Sequence, residues 1–156
     1  MASEQRPLHV LVVSVDISLL HEVAWMLEAV GYHVQTTNDF APDALWRRCA
    51  SPDVLIVDGR DLAEPSAEVF QLDSPQPQYR VFLCDPAKAS SLASWYAAGA
   101  HDAVRVPLSR GELLTRLRTG ARYLEFERRL KERSSFSDVA DMYSRRGLLR
   151  KLSLAT

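Results

Sequence analysis

The sequence holds only two cysteines, Cys49 and Cys84, among 156 residues. Two thiols cannot make a disulfide framework, and they are expected as buried thiols of a cytoplasmic, reduced chain. No apolar run approaches the ~20 residues of a membrane span. Met1 to Pro7 is polar and lacks the apolar core of a signal peptide. No glycine-rich phosphate loop follows the first apolar run, where Ser14-Val15-Asp16-Ile17-Ser18 stands instead. His9, His21, His33 and His101 are scattered without metal-ligand spacing, and no nucleophile elbow is present. These absences argue against a secreted or membrane-spanning chain and against the common hydrolase, zinc and nucleotide-binding sites. No enzymatic activity is expected.

What is present is an ordinary globular composition with an uneven charge. Hydrophobic residues make up 47% and charged residues 25% of the chain, with a net charge of −1. Residues 1–108 carry 7 Lys/Arg against 14 Asp/Glu, whereas residues 109–156 carry 12 against 6. A basic C-terminal part can be an arm for nucleic acid. Here acids are interleaved at helical spacing, as in Glu125/Arg129, Glu127/Lys131 and Arg128/Glu132, so a solvated helix face is the better reading and nucleic acid is not an expected partner.

Strand and helix signals alternate over the first hundred residues. Val10 to Val13, His33 to Thr37, Val54 to Val57, Val81 to Leu83 and Ala103 to Val106 read as five short strands. Between them, helices are expected from Asp16 or Ser18 to Val30, over 42–50, near 66–72, and over 87–98 with Gly99 at its C-terminus. Pro107 breaks the fifth strand, and Ser109 caps a last helix. Repeated strand–helix units imply a flavodoxin-like, doubly wound, five-stranded parallel sheet with helices on both faces. Such a sheet places its site at the carboxyl ends of the strands. The last helix, from about Ser109 to Arg133, would be ~37 Å long and would outrun the sheet. Its stripe Leu113, Leu117, Ala121 and Leu124 suits pairing with another helix, although Gly120 interrupts it. Ser134 to Ser137 reads as a linker, and Arg145 to Leu154 as a further helix.

Several anchors in order, Val10 to Val13, Pro52 to Asp58, Ala97 to Asp102, Val106-Pro107-Leu108 and Glu112-Leu113-Leu114, resemble a bacterial response-regulator receiver (CheY-like) domain over about residues 8–122. The resemblance implies a phospho-accepting aspartate at Asp58. It also implies a Mg²⁺ held by two acids after the first strand together with Asp58, a Ser or Thr at the end of the fourth strand, an aromatic switch on the fifth, and a lysine at its end. At those positions this sequence has Ser14 and Val15, Cys84, Ala103 and Val106. Asp16 stands one residue beyond the expected acids, as a helix N-cap or a displaced metal ligand. If any metal binds, Asp16 and Asp58 are its expected ligands; otherwise no cofactor is expected. The expectation is a degenerate receiver. The alternative is a phospho-acceptor with an atypical Mg²⁺ site.

Residues 123–137 are expected as a helical extension and linker, and 138–156 as a stub. Within it, Asp141 to Leu152 resembles the opening segment of a GGDEF diguanylate cyclase domain, with Ser144 where Asn is usual and Ala140-Asp141 where Thr-Gly is usual. The GGDEF signature is absent, and the remaining length has no room for that catalytic domain, so no nucleotide chemistry is expected of this chain. The resemblance implies a part in two-component signalling linked to cyclic-di-GMP, through protein–protein contact. Expected partners are a second copy of the chain, an output domain and a sensor histidine kinase. Trp95, Tyr96, Leu117 and Leu124 are the expected interface residues.

Overall fold

The structure, a computed structural model, describes residues 7–40, 52–60, 77–87 and 92–155, with 134–155 as backbone alone. Five strands, β1 (His9–Val13), β2 (His33–Thr37), β3 (Val54–Asp58), β4 (Tyr79–Cys84) and β5 (Asp102–Arg105), form one parallel sheet in the order β2-β1-β3-β4-β5. The described helices are α1 (Ile17–Glu28), α2 (Leu92–Ala98) and α3 (Arg110–Ala155). This is the expected flavodoxin-like sheet. The helices expected over 42–50 and 66–72 lie outside the described residues.

The order follows from composition. Central β3 is apolar up to its last residue, Asp58, and buried at all five positions, as a strand covered on both faces must be. Edge strand β2, His-Val-Gln-Thr-Thr, alternates exposed and half-buried residues until Thr37. Alternate side chains of the inner strands feed two cores. One gathers Val10, Val12, Val54, Ile56 and Val81 against Val23 and Leu27 of α1 and Leu113, Leu117 and Leu124 of α3. The other gathers Leu11, Val13, Leu55, Val57 and Phe82 against Trp95 of α2. Truncating a fully buried leucine such as Leu117 removes about 2–5 kcal/mol.

Asp16 caps α1, its Oδ1 accepting from the Leu19 N–H at 3.2 Å. The helix closes at Gly31 (φ 99°), whose N–H reaches Glu28 O at 3.1 Å while Tyr32 N–H reaches Leu27 O at 3.1 Å. That is a Schellman turn, which needs the left-handed residue that glycine supplies.

One expectation about the C-terminal part is corrected. No linker forms at Ser134 to Ser137, because α3 runs unbroken from Arg110 to Ala155. Residues 121–146 contain neither Gly nor Pro, and serine alone is too weak a breaker to end a helix flanked by Glu, Arg, Lys and Leu. The chain divides into two compact units, Met1–Leu124 and Glu125–Thr156. In the second, Phe126 and Leu130 leave their side chains in solvent, and Arg129 pairs with Glu125 at 2.7 Å.

Gly120, an apparent weak point of the helix, has a packing reason. A Cβ there would run into the ring of Tyr79 at the start of β4. That ring cannot retreat. It stacks on His101 at 5.5 Å and tilts against Tyr123 at 5.7 Å, and its hydroxyl donates to Asp102 Oδ2 at 2.9 Å. Gly120→Ala therefore sets a helix-propensity gain of about 1 kcal/mol against an overpacking cost of about 1–3 kcal/mol. The expected outcome is a net loss of ~1 kcal/mol, read as a lower urea midpoint; a more stable variant would refute the close contact.

Candidate functional site

The order 2-1-3-4-5 reverses direction between β1 and β3, and ligands of open α/β sheets lie outside the strand ends at such a point. Here that point is occupied by four side chains from two segments. β1 ends into Ser14 and Asp16, and β3 ends in Asp58, with Arg60 two residues on. Ser14 and Asp58 are almost fully buried, at 0% and 2% exposure.

Asp58 is bound on both oxygens. Oδ1 accepts from the Arg60 backbone N–H at 3.1 Å and from Arg60 Nε at 3.0 Å. Oδ2 accepts from Arg60 Nη2 at 2.9 Å and from the Ser14 hydroxyl at 2.7 Å. A carboxylate offers about four lone-pair positions, and four donors fill them. The Arg60 fork is the bidentate geometry that makes such pairs strong. Its Nη2 also reaches Asp16 Oδ2 at 3.1 Å, so one nitrogen bridges two acids. Ser14 Oγ in turn accepts from the Asp16 N–H at 3.0 Å.

Electrostatics follow the geometry. Burial alone would raise the Asp58 pKa, but the Arg60 fork, the Ser14 hydroxyl and the Arg60 amide outweigh it and hold the carboxyl below its ordinary value. Asp16 is lowered as well, first by the Leu19 N–H and then by Arg60. Arg60 is raised, chiefly by its hydrogen bonds to Asp58, so the guanidinium stays charged at any ordinary pH. Sequence reasoning missed Arg60, which lay at the head of a polar stretch read as loop. The available signal was an arginine two residues after the acid that ends β3.

Each expected site position is accounted for. Asp16 is both helix cap and ion-pair partner. Val15 is 54% exposed and carries no ligand atom. Val106 packs against the core shared with α1 and α3, so this position brings no cation to Asp58. Cys84 is half-buried, and burial pushes its thiol pKa up, which disfavours a reactive thiolate. With Ala103 in place of an aromatic, Cys84, Leu92, Ala103, Arg105, Glu112 and Arg116 line a cavity of about 280 Å³.

Three of the four expected interface residues do not reach solvent. Trp95 (2% exposed) stacks on Phe82 at 5.2 Å and lies against Gly59, where a Cβ would sit 2.7 Å from the indole. Leu117 and Leu124 are fully buried in the core of α1 and α3, because their stripe faces the sheet. Tyr96 alone stays accessible, at 46%.

The Mg²⁺ that the receiver resemblance implies does not fit this arrangement. Among the described residues no three or more His, Cys, Asp or Glu converge. The oxygens that a hard cation would need on Asp58 already accept from Arg60 and Ser14.

The pair makes stability acid-sensitive in a defined direction. The folded pKa of Asp58 lies below its ordinary 3.8, so in acid the unfolded chain binds more protons than the folded one. The contribution is complete above that ordinary value and is lost as pH falls through the folded pKa. Asp58→Asn should lower stability by about 2–3 kcal/mol at neutral pH. It should also flatten the decline in stability as pH falls below the ordinary value of 3.8, read by urea unfolding at a series of pH values. An unchanged acid profile would show the pair to be energetically idle.

No family model matches the sequence, and no curated protein matches it. Solved structures do match. A response regulator receiver domain protein of Clostridium thermocellum is 17% identical with TM-score 0.65, covering 76% of this chain and 98% of that one. The signal receiver domain of an HD domain-containing protein of Pseudomonas fluorescens Pf-5 is 19% identical with TM-score 0.68, covering 82% and 96%. A Burkholderia pseudomallei K96243 protein provisionally described as pilus assembly-related is 26% identical with TM-score 0.59, covering 73% and 89%. Among the described residues no helix is long and apolar enough to cross a membrane. The chain has the fold of CheY-like response-regulator receiver domains.

Proposed function

We propose that this chain is a pseudo-receiver, a non-enzymatic signalling module of the two-component type that acts by protein–protein contact. The observation that carries the reading is the saturation of Asp58. All four of its acceptor positions are filled by donors from Arg60 and Ser14. An in-line attack on phosphorus needs a free carboxylate lone pair and a cation to screen two anions. Here the lone pairs are engaged. The hydroxyl and lysine positions of the resemblance hold Cys84 and Val106.

In this reading the surfaces carry the signal. Tyr96 on α2, and Phe126 and Leu130 on the Glu125–Thr156 unit, are large side chains left in solvent. A helix alone in water is marginal and gains stability by packing, which supports association with a second copy through α3. The likeness of Asp141 to Leu152 to the opening of a GGDEF domain supports an output of the diguanylate-cyclase type, with residues 8–122 as the receiver-like part and 123–156 as the connection. A sensor kinase, if one docks, would act without transferring phosphate.

Two measurements bear on this. Incubation with acetyl phosphate and Mg²⁺, read by intact mass, should give no adduct. A stoichiometric phosphoadduct lost in Asp58→Asn would establish the alternative, a phospho-accepting regulator. Sedimentation of the full chain should show a concentration-dependent dimer that Phe126→Ser with Leu130→Ser weakens by at least about tenfold, or ~1.4 kcal/mol. A monomer at every concentration would remove the dimer.

A further inference from the structure

We propose that Arg60 is the resident cation of this site, a guanidinium tethered in place of a divalent ion, and that its occupancy is what keeps metal out. The inference rests on the pseudo-receiver reading and goes one step further: it assigns the loss of metal binding to one side chain. Three observations converge. Nη2 of Arg60 bridges Asp58 Oδ2 at 2.9 Å and Asp16 Oδ2 at 3.1 Å, as a shared cation between two acids would. Asp58 is 2% exposed, so its charge must be neutralised from within the pocket. Ser14 Oγ, 2.7 Å from Asp58, adds a third hard oxygen from a neighbouring strand end.

Without the guanidinium, the pocket would present two carboxylates and a hydroxyl. That all-oxygen set suits Mg²⁺ or Mn²⁺ and suits neither zinc nor copper. With it, an incoming divalent ion meets a like charge and, on Asp58, a carboxylate whose lone pairs are filled. It must also shed water to enter, which Mg²⁺ does reluctantly. Arg60 has no such cost, being bonded to the chain two residues from Asp58. The competing account, in which Arg60 only balances a buried charge in a pocket unable to coordinate metal, predicts no metal affinity in any Arg60 variant.

The test uses the full chain, stripped of metal and titrated with Mn²⁺ by electron paramagnetic resonance. Wild type should show no specific site. Arg60→Ala should bind one Mn²⁺ at least about tenfold more tightly than wild type, equivalent to ~1.4 kcal/mol. Adding Asp58→Asn to that variant should abolish the site. Because Arg60→Ala leaves a buried carboxylate unpaired, Arg60→Gln is read alongside it, keeping an amide donor for Asp58 without the charge. Mn²⁺ should raise the Tm of either variant and leave that of wild type unmoved. Folded variants that bind no Mn²⁺, or a wild type that binds it equally well, would overturn the inference. If the variants bind no metal while wild type still resists phosphorylation, this inference fails alone. If wild type accepts phosphate, the pseudo-receiver reading fails with it.

Discussion

A carboxylate buried at the end of a central parallel strand must be neutralised, and the way this chain neutralises Asp58 organises everything around it. An isolated buried charge costs several kcal/mol. Arg60 supplies a bidentate partner, Ser14 a short hydroxyl bond, and the backbone of residue 60 a further donor. The same guanidinium reaches Asp16, whose other oxygen starts α1. One cluster thus joins the end of β3 to the turn after β1 and to the first turn of the helix that covers one face. Ser14 is held from the opposite side as well, its N–H bonding Thr37 O of β2 at 3.1 Å. Three strands and a helix meet at this one buried carboxylate.

At the opposite end of the strands, where β4 begins, a second constraint does comparable work with apolar surface. Tyr79 lies where a Cβ of Gly120 would stand, and it joins β4 to α3 through ring contacts with His101 and Tyr123. Its hydroxyl is committed to Asp102, which also pairs with Arg116 at 3.5 Å. Desolvation, followed by the bond to Asp102, pushes the phenol pKa above its ordinary value, so the ring stays neutral and donates. The glycine that weakens the helix locally is what lets the helix approach the sheet.

The strands were legible because burial on both faces forces short apolar runs, and those runs ended where the chain turned. Asp58 could therefore be put at a strand end, while Ser14, Val15, Cys84 and Val106 were assigned to the same site only through the receiver resemblance. Three other features were illegible for physical reasons. Arg60 acts through a bond to a residue two positions away, and no periodicity marks a side chain that folds back on its own strand. The direction of Trp95 and the continuity of α3 depend on tertiary contacts and on small propensity differences. Trp95 turned inward because Phe82 and the bare backbone of Gly59 leave a flat slot for an indole. The leucine stripe read as a partner surface is the same stripe that covers the sheet. A heptad-like spacing of Leu117 and Leu124 cannot distinguish the two.

A tethered cation and a diffusible one differ in what they let a site report. Occupancy by a free divalent ion depends on its concentration and can be linked to other ligands through differential binding. Occupancy by Arg60 depends on neither, because a guanidinium stays charged at any ordinary pH and the tether fixes its effective concentration. On the pseudo-receiver reading, the end of β3 then holds one electrostatic state under all ordinary conditions. A site with one state cannot bias an equilibrium between two conformations of the sheet's far surface. Any signal must therefore enter where a partner can bind differentially. The large side chains left in solvent, among them Trp25 and Tyr96 in the sheet-bearing unit and Phe126 and Leu130 in the C-terminal one, are where such binding would gain apolar contact.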